Sequence, residues 1–196
     1  MMAIATMTPG PSPRGVPAPL DASVLRRCLA QDPMAFRAFV VRYERMVFAL
    51  LSRMLGQGPE VEDLAQETFV RAYRAFPSFD PDGPAKVSTW LLTIATRLAL
   101  DSRKKHRATE PVDETLPAAS TPERELERRQ LGNAISAAAA ALPDDQRAAL
   151  VLAEMHGLST DEIAEALGVP ENTAKTRLFR AREKMRTALS SAWRPS

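Results

Sequence analysis

The side chains best suited to chemistry in this sequence are polar and basic groups that follow Gly168 and Pro170. An apolar stripe at helical spacing leaves amide, hydroxyl and guanidinium groups on the free face, and these groups hydrogen-bond to base edges and phosphates. The set comprises Asn172, Thr173, Lys175, Thr176, Arg177 and Arg180. This mixture predicts a surface that reads duplex DNA. The alternative is a helical hairpin that packs on a protein partner. That alternative does not explain why basic and short polar residues are combined on the free face.

The segment from Ser159 to Leu178 has the layout of a helix-turn-helix, which would present that surface. Ser159 and Glu162 have the spacing of a capping box, and Gly168 supplies the positive φ that a tight turn needs. Pro170 is expected at the first position of the second helix. The N-terminal end of such a helix enters the major groove.

A second basic block lies earlier in the chain, near two aromatic residues. Cations beside aromatic surfaces suit unpaired bases, which stack and whose phosphates need neutralising. The candidates are Phe79, Trp90, Arg97, Arg103, Lys104, Lys105 and Arg107. Two plainer interpretations stay open, because basic residues at a helix C-terminus complement its dipole and because a lone Trp is commonly part of a core.

The third candidate surface is a helix whose exposed side carries both signs of charge. Its residues are Asp63, Gln66, Glu67, Arg71 and Arg74. The mixture is unsuited to nucleic acid. Charged pairs at helical steps commonly form a solvated face, and a protein-binding role is the alternative.

Composition narrows the class of protein. With 45% apolar residues among 196, the chain can build a packed core, and Ala, Leu, Arg and Glu favour helices. Its net charge of +2 conceals two basic blocks separated by an acidic strip. One cysteine, Cys28, fits a reducing cytoplasm, and its spacing from His106 and His156 forms no metal-ligand pattern. We expect no cofactor, no membrane insertion and no secretory signal.

The breaks in periodicity predict an all-α protein of two small helical domains joined by a flexible linker. Residues 1–20 are rich in Pro and Gly and are expected to be a disordered tail. Residues 21–107 should form a four-helix bundle, with helices over about 21–31, 33–56 and 60–76 and a fourth capped by Ser88. Asp32 is expected to cap the second helix, with Pro33 at its first position, and Gly56 to end it. Residues 108–121 are interpreted as the linker, 122–190 as the second domain and 191–196 as a tail. In the second domain, helices are expected from Pro122 to Leu142 and from Gln146 to His156. Ser120 and Glu123 have the spacing of a capping box at the start of the first, and Gly157 is expected to end the second.

Several motifs together resemble the extracytoplasmic-function (ECF) type of sigma-70 sigma factor of bacterial RNA polymerase. The segments from Asp63 to Phe69, from Phe79 to Pro81 and from Ser88 to Ala95 resemble the second conserved region of that family. The segments Ala141–Arg147 and Gly157–Arg182 are similar to its fourth region. The resemblance covers residues 21–190 in the order and spacing of the family.

This resemblance implies a function and a set of partners. Residues 21–107 would recognise and help to open the −10 element, and the loop from Phe76 to Val87 would capture a flipped base. The helix from Pro170 would read the −35 element as duplex. The helix carrying Asp63 would dock on the β′ clamp helices of core RNA polymerase, and the β flap would be a further contact. An anti-sigma factor, in some cases at the membrane, would hold the protein inactive.

The sequence departs from the family pattern at a few positions. Arg97 stands where Asn is frequent, Asn172 where Gly is frequent, and Ala174 and Thr176 where Val and Ser are common. These differences leave the motif intact and bear on which promoter is read.

Three other functions are alternatives. An ordinary helix-turn-helix repressor or activator would be a symmetric dimer, and it leaves residues 33–107 without a task. An enzyme is disfavoured because no phosphate-binding loop, metal cluster or nucleophile–base arrangement is present in the sequence. An adaptor that has lost DNA contact does not fit the basic recognition face.

Overall fold

The protein is described from a computed structural model, which covers residues 16–109 and 123–192. Those residues form eight α-helices and one short 3-10 turn at 76–78, with no strand among them, so the predicted all-α class is confirmed. The helices are α1 (Ala22–Leu29), α2 (Pro33–Leu55), α3 (Pro59–Ala75), α4 (Val87–Thr109), α5 (Glu123–Ala140), α6 (Asp144–His156), α7 (Thr160–Leu167) and α8 (Glu171–Ala192). We call α1–α4 the N-terminal module and α5–α8 the C-terminal module.

The ends of the helices follow from local chemistry. Asp32 caps α2, because its Oδ1 accepts hydrogen bonds from the backbone N–H groups of Met34 (2.8 Å) and Ala35 (3.1 Å), and Pro33 stands at the first position as predicted. Gly56 ends α2 at φ 87°. Asp32 as a cap is thus confirmed. Asp21 likewise caps α1 by accepting the backbone N–H of Ser23, which the sequence analysis did not predict.

Several predicted boundaries differ from the observed helix ends by one or two residues. Ser88 lies inside α4 instead of capping it, because the helix already begins at Val87 and the N–H of Trp90 bonds to the carbonyl of Lys86. Pro170 precedes α8 instead of opening it, and its carbonyl accepts from Thr173 and Ala174. At its other end α4 continues to Thr109, two residues beyond the predicted end of the first domain.

Three of the predicted segments lie wholly or mostly outside the described residues. They are the tail at 1–20, the linker at 108–121 and the C-terminal tail at 191–196. Ser120, which is predicted to form a capping pair with Glu123, also lies outside the described ranges.

The N-terminal module is built around aromatic rings. Phe39 lies 4.9 Å from Tyr43, 5.0 Å from Phe76 and 6.1 Å from Phe69 between ring centroids, mostly edge to face. Leucines of α2 and α4, including Leu50, Leu51, Leu91 and Leu92, complete the core. This packing fixes the three long helices and therefore the side chains on their outer faces.

Two helices of the C-terminal module end at glycines with a left-handed backbone conformation. Gly157 (φ 65°) ends α6 and Gly168 (φ 64°) ends α7, as predicted. Between them Ser159 and Glu162 form the predicted capping box. Ile163, Ala166, Ala174 and Ala181 are buried, so small residues let α7 and α8 pack closely.

The two modules also pack against each other, which the sequence did not predict. Helix α6 contacts α2 and α4, and α7 lies along α4. Within the described residues, no helix is both long and apolar enough to cross a membrane.

Candidate nucleic-acid interface

The first half of α8 presents the predicted reading surface. Asn172, Lys175, Thr176 and Arg180 are exposed, while Thr173 and Arg177 are half-buried at the side facing α6. Ala174, Leu178 and Ala181 hold the opposite face in the core. The six residues of the sequence prediction therefore all lie on the side of α8 that is turned away from the core.

An open groove of about 440 Å³ runs beside this face. Two residues of the preceding helix α6, Asp145 and Gln146, line it together with residues of α8. Sequence reasoning did not select either α6 residue, because only the fold brings the start of α6 beside α8. The signal in the sequence that could have identified them is that both residues follow shortly after Pro143, where the preceding helix ends.

Two basic groups of this face pair with acids. Arg177 Nε lies 2.8 Å from Asp145 Oδ2, and Lys175 Nζ lies 2.8 Å from Glu171 Oε1 one turn earlier. The Lys175 pair is exposed on both sides and contributes little to stability. The Arg177 pair joins two helices, so it also sets the direction of the guanidinium group.

Glu162 does more than close the capping box. Its Oε2 accepts the backbone N–H of Ser159 at 2.9 Å, and its Oε1 accepts the Thr89 hydroxyl from α4 at 2.9 Å. Burial raises the pKa of Glu162, but the hydrogen bonds from Ser159 and Thr89 outweigh burial, so the pKa lies below its ordinary value. The carboxylate is thereby kept charged at the junction of the modules.

The second basic block is divided by the fold. Arg97 Nη2 donates to the carbonyl oxygen of Glu165 at 3.1 Å, and Arg103 pairs with Asp144 and donates to the carbonyl of Met54 at 3.1 Å. Lys104 and Lys105 are exposed at the end of α4, where Arg107 also lies, although its side chain is outside the described part. Arg97 and Arg103 therefore both contact the C-terminal module.

The aromatic residues near this block belong largely to the core. Phe79 is only 9% exposed, with its ring centroid 5.1 Å from that of Trp90, and Trp90 is 5.1 Å from Phe76. Trp90 is half-buried. With Phe79 buried and Trp90 half-buried, base stacking on either ring stays a prediction that requires this loop to move.

The mixed-charge face of α3 is exposed as the spacing implied. Asp63, Gln66, Arg71 and Arg74 are exposed, and the half-buried Glu67 accepts from Arg71 Nε at 2.7 Å. The face also contains Val70, which is 42% exposed. Sequence reasoning missed this apolar residue, although its spacing of three and four residues from Glu67 and Gln66 places it there.

Among the residues the structure describes, no three His, Cys, Asp or Glu side chains are grouped as metal ligands would be. Cys28 is fully buried, and burial raises the pKa of its thiol, which disfavours the reactive thiolate.

An exposed helix-turn-helix face on one module and a cationic helix on the other define a two-module, all-α DNA-binding protein. Comparison with family models identifies the class of protein more specifically. Residues 39–109 match sigma-70 region 2, and residues 132–185 match sigma-70 region 4. The ECF RNA polymerase sigma factor SigW of Bacillus subtilis is 36% identical over 171 residues, which cover 81% of this chain and 90% of SigW.

Solved structures agree with this assignment. The structure of CnrH in complex with the cytosolic domain of CnrY has a TM-score of 0.61 and 26% identity, covering 86% of this chain and 96% of that one. RpoE of Bartonella quintana, in complex with the anti-sigma factor NepR, shares the fold at a TM-score of 0.62 and 23% identity, over 79% of this chain and 96% of that one. The chain belongs to the ECF type of the sigma-70 family, and its function is that of a sigma factor in promoter recognition.

Proposed function

We propose that the two modules read different parts of one promoter. Helix α8 binds the −35 element as duplex through Asn172, Thr173, Lys175, Thr176, Arg177 and Arg180. The N-terminal module binds the −10 element, and the strand that separates from it on opening, through the basic residues of α4. Phe79 and Trp90 contact this DNA once the loop at 79–86 has moved. Phosphate contacts by Lys and Arg supply affinity, and contacts to base edges supply the choice of sequence.

The observation that carries this proposal is the exposed half of α8. Four of its six candidate residues are exposed, and five of the six, all except Lys175, line one open groove together with Asp145 and Gln146. A helix of this kind fits the width of a major groove, with its N-terminal residues towards the bases. The match to region 4 over residues 132–185 contains this whole face.

Core RNA polymerase is the proposed protein partner. The α3 face combines both charge signs with the exposed Val70, which is the composition of a protein contact rather than of a nucleic-acid surface. Asp63, Gln66, Glu67, Arg71 and Arg74 would contact the β′ clamp helices, and the C-terminal module would contact the β flap. The protein then acts in the cytoplasm, where transcription takes place.

The chain catalyses no reaction itself and directs the chemistry of the polymerase.

An anti-sigma factor, in some cases held at the membrane, keeps the protein inactive until a signal arrives. The similar CnrH and RpoE, solved in complex with CnrY and with NepR, support regulation by a partner protein.

Run-off transcription with purified core polymerase on genomic fragments tests the proposal. We expect discrete start sites that appear only when the protein is added, and their upstream sequences should share two elements. An Arg177→Ala variant should lose initiation at those sites. Absence of any protein-dependent start site would reject the proposed function.

A further inference from the structure

A cavity of about 330 Å³ lies where three separate parts of the chain meet. One wall comes from residues 16–20, which precede α1, and a second comes from the loop at 79–87 that joins α3 to α4. The third wall is the turn between α6 and α7, with His156, Gly157 and Leu158. Of the described residues proposed to bind DNA or polymerase, only Phe79 lines this cavity. The cavity is therefore distinct from the surfaces discussed above.

The lining of the cavity is mainly apolar. Tyr43 and Phe79 contribute aromatic rings, and both residues are buried. The Tyr43 hydroxyl group already has a partner, because the backbone of Leu20 hydrogen-bonds to it. Aliphatic side chains complete the lining, namely Leu20, Leu25, Val87 and Leu158. A mostly apolar cavity near the lower end of the range of about 300–1,000 Å³ suits a small molecule with one or two rings.

His156 is the polar exception in this lining. Its side chain is buried, and neither Nδ1 nor Nε2 has a hydrogen-bond partner among the described residues. A buried imidazole is normally hydrogen-bonded, because leaving its nitrogens unpaired is unfavourable. Burial also lowers the pKa of His156 from 6.5 to about 4, so at neutral pH the ring is uncharged. The cavity thus presents one N–H donor and one nitrogen acceptor on a single ring.

Two charged residues of opposite sign also line the cavity. They are Lys86 and Glu162, and Lys86 lies close enough for its charge to act on the Glu162 carboxylate. Glu162 also accepts hydrogen bonds from the Ser159 backbone N–H and the Thr89 hydroxyl group. An anionic ligand would be repelled by Glu162 and a cationic ligand by Lys86. The pair of charges therefore favours a neutral ligand.

We infer that this cavity is a binding site for a small neutral molecule, whose aromatic ring lies among Tyr43, Phe79 and Leu158 and whose amide or hydroxyl group pairs with His156. An amide or hydroxyl group both donates and accepts hydrogen bonds, so it complements the two nitrogens of the neutral imidazole. Binding at this site is a property of the folded chain and goes beyond the proposed function.

Nuclear magnetic resonance of the two histidine side chains tests the site in the full chain. Titration with benzamide should shift the ring resonances of His156 saturably and leave those of the exposed His106 unchanged. Benzoate and protonated benzylamine carry the same ring with a negative and a positive charge, and toluene lacks a polar group. Each of the three should bind at least roughly tenfold more weakly than benzamide. No saturable shift at His156, or equal affinity for all four molecules, would overturn the inference.

Two substitutions of His156 separate hydrogen bonding from shape. His156→Gln keeps a neutral side chain that donates and accepts, whereas His156→Leu removes both functions. Calorimetry should find benzamide binding retained by His156→Gln and weakened at least roughly tenfold by His156→Leu. His106→Leu is the matched control and should bind benzamide as the unaltered protein does. Unchanged binding by His156→Leu would contradict the pairing with His156. Circular dichroism checks folding, and the His156 shift in the unaltered chain decides the matter if neither variant folds.

A base of single-stranded DNA is also a neutral ring with polar groups, so DNA is a second source of this ligand chemistry. Fluorescence anisotropy with a labelled 15-nucleotide oligothymidine separates the two sources. We expect His156→Leu to bind the oligothymidine as tightly as the unaltered protein does, because the ligand is a free small molecule. Weaker oligothymidine binding by His156→Leu that His156→Gln restores would assign the cavity to a DNA base and would overturn the inference.

Binding at this cavity can be lost or kept independently of the proposed function. A chain that supports run-off transcription without binding benzamide is a sigma factor that lacks this site. A chain that binds benzamide at His156 but starts no transcription keeps the site and loses the proposed role.

Discussion

Asp145, in the first turn of α6, holds Arg177 of the reading helix by an ion pair of 2.8 Å between Oδ2 and Nε. The Arg177 side chain is 26% exposed, so the pair is partly shielded from water. With its Nε directed to Asp145, Arg177 keeps its terminal nitrogens for a base edge or a phosphate. A carboxylate beside a DNA-reading face repels phosphates and so lowers the affinity for DNA. Its presence there indicates that Asp145 serves to orient Arg177.

This relationship predicts different effects for the two residues. Arg177→Ala should weaken duplex promoter binding by about 1–3 kcal/mol, if the side chain reaches a base edge. Asp145→Asn should lower the ratio of specific to non-specific binding, because the guanidinium group loses its fixed direction. Fluorescence anisotropy with promoter and scrambled duplexes at fixed salt measures both effects.

Glu171→Gln is the matched control, since it removes one negative charge from the same region and frees Lys175 on the exposed side. It should strengthen binding to both duplexes similarly and keep their ratio. If Asp145→Asn behaves in the same way, Asp145 has no positioning role.

The α3 face should govern holoenzyme formation without affecting the fold. Asp63→Ala combined with Gln66→Ala should weaken binding to core polymerase at least tenfold, because both side chains are exposed at the centre of the proposed contact. Val70→Ser should also weaken it, through loss of apolar contact. Glu44→Ala, exposed on α2, is the control. Unchanged affinity in a pull-down titration of the double variant would exclude this docking site.

His156 should make stability depend on pH. Burial lowers its pKa from 6.5 to about 4, even though a histidine at the end of a helix is favoured in the charged form by the dipole. Between these values the unfolded chain binds a proton that the folded chain excludes. Stability should therefore fall as pH decreases from about 6.5 towards 4, by at most roughly 3 kcal/mol.

Urea unfolding between pH 4.5 and 7.5 measures this dependence. His156→Leu should flatten the slope in that window, and at neutral pH it removes ring nitrogens that have no hydrogen-bond partner among the described residues. His106→Gln, at an exposed histidine, should keep the slope of the unaltered protein. An identical slope for His156→Leu would show that other groups cause it.

Two glycines should respond in opposite directions to alanine. Gly168 has φ 64°, so Gly168→Ala should destabilise the C-terminal module by about 1 kcal/mol through backbone strain, although space for a methyl group is present. Gly132 lies within α5 with open space where the methyl group of an alanine would point, so Gly132→Ala should stabilise by up to about 1 kcal/mol. Thermal unfolding compares the pair. A destabilising Gly132→Ala would contradict the helical placement of that residue.

The sequence by itself determined the helices and most of their ends. Asp32 with Pro33, Gly56, Gly157, Gly168 and the pair Ser159 and Glu162 act on neighbours within four residues, so their effects are legible without a fold. The reading face of α8 was predictable for the same reason, because helical periodicity alone separates its inner and outer residues. Ser88 was placed two positions and Pro170 one position from where they lie relative to the helix start, since a helix can begin without a side-chain cap.

Tertiary structure alone decided which of these surfaces meet. Thr89 and Glu162 are 73 residues apart in the chain, and Arg147 reaches the Met54 carbonyl across 93 residues. Local pattern carries no information on such pairs, because a polar helix face is equally compatible with water, with nucleic acid and with a second module. The choice depends on the balance of desolvation against hydrogen bonds and ion pairs across the whole contact, and that balance exists only once both modules are folded.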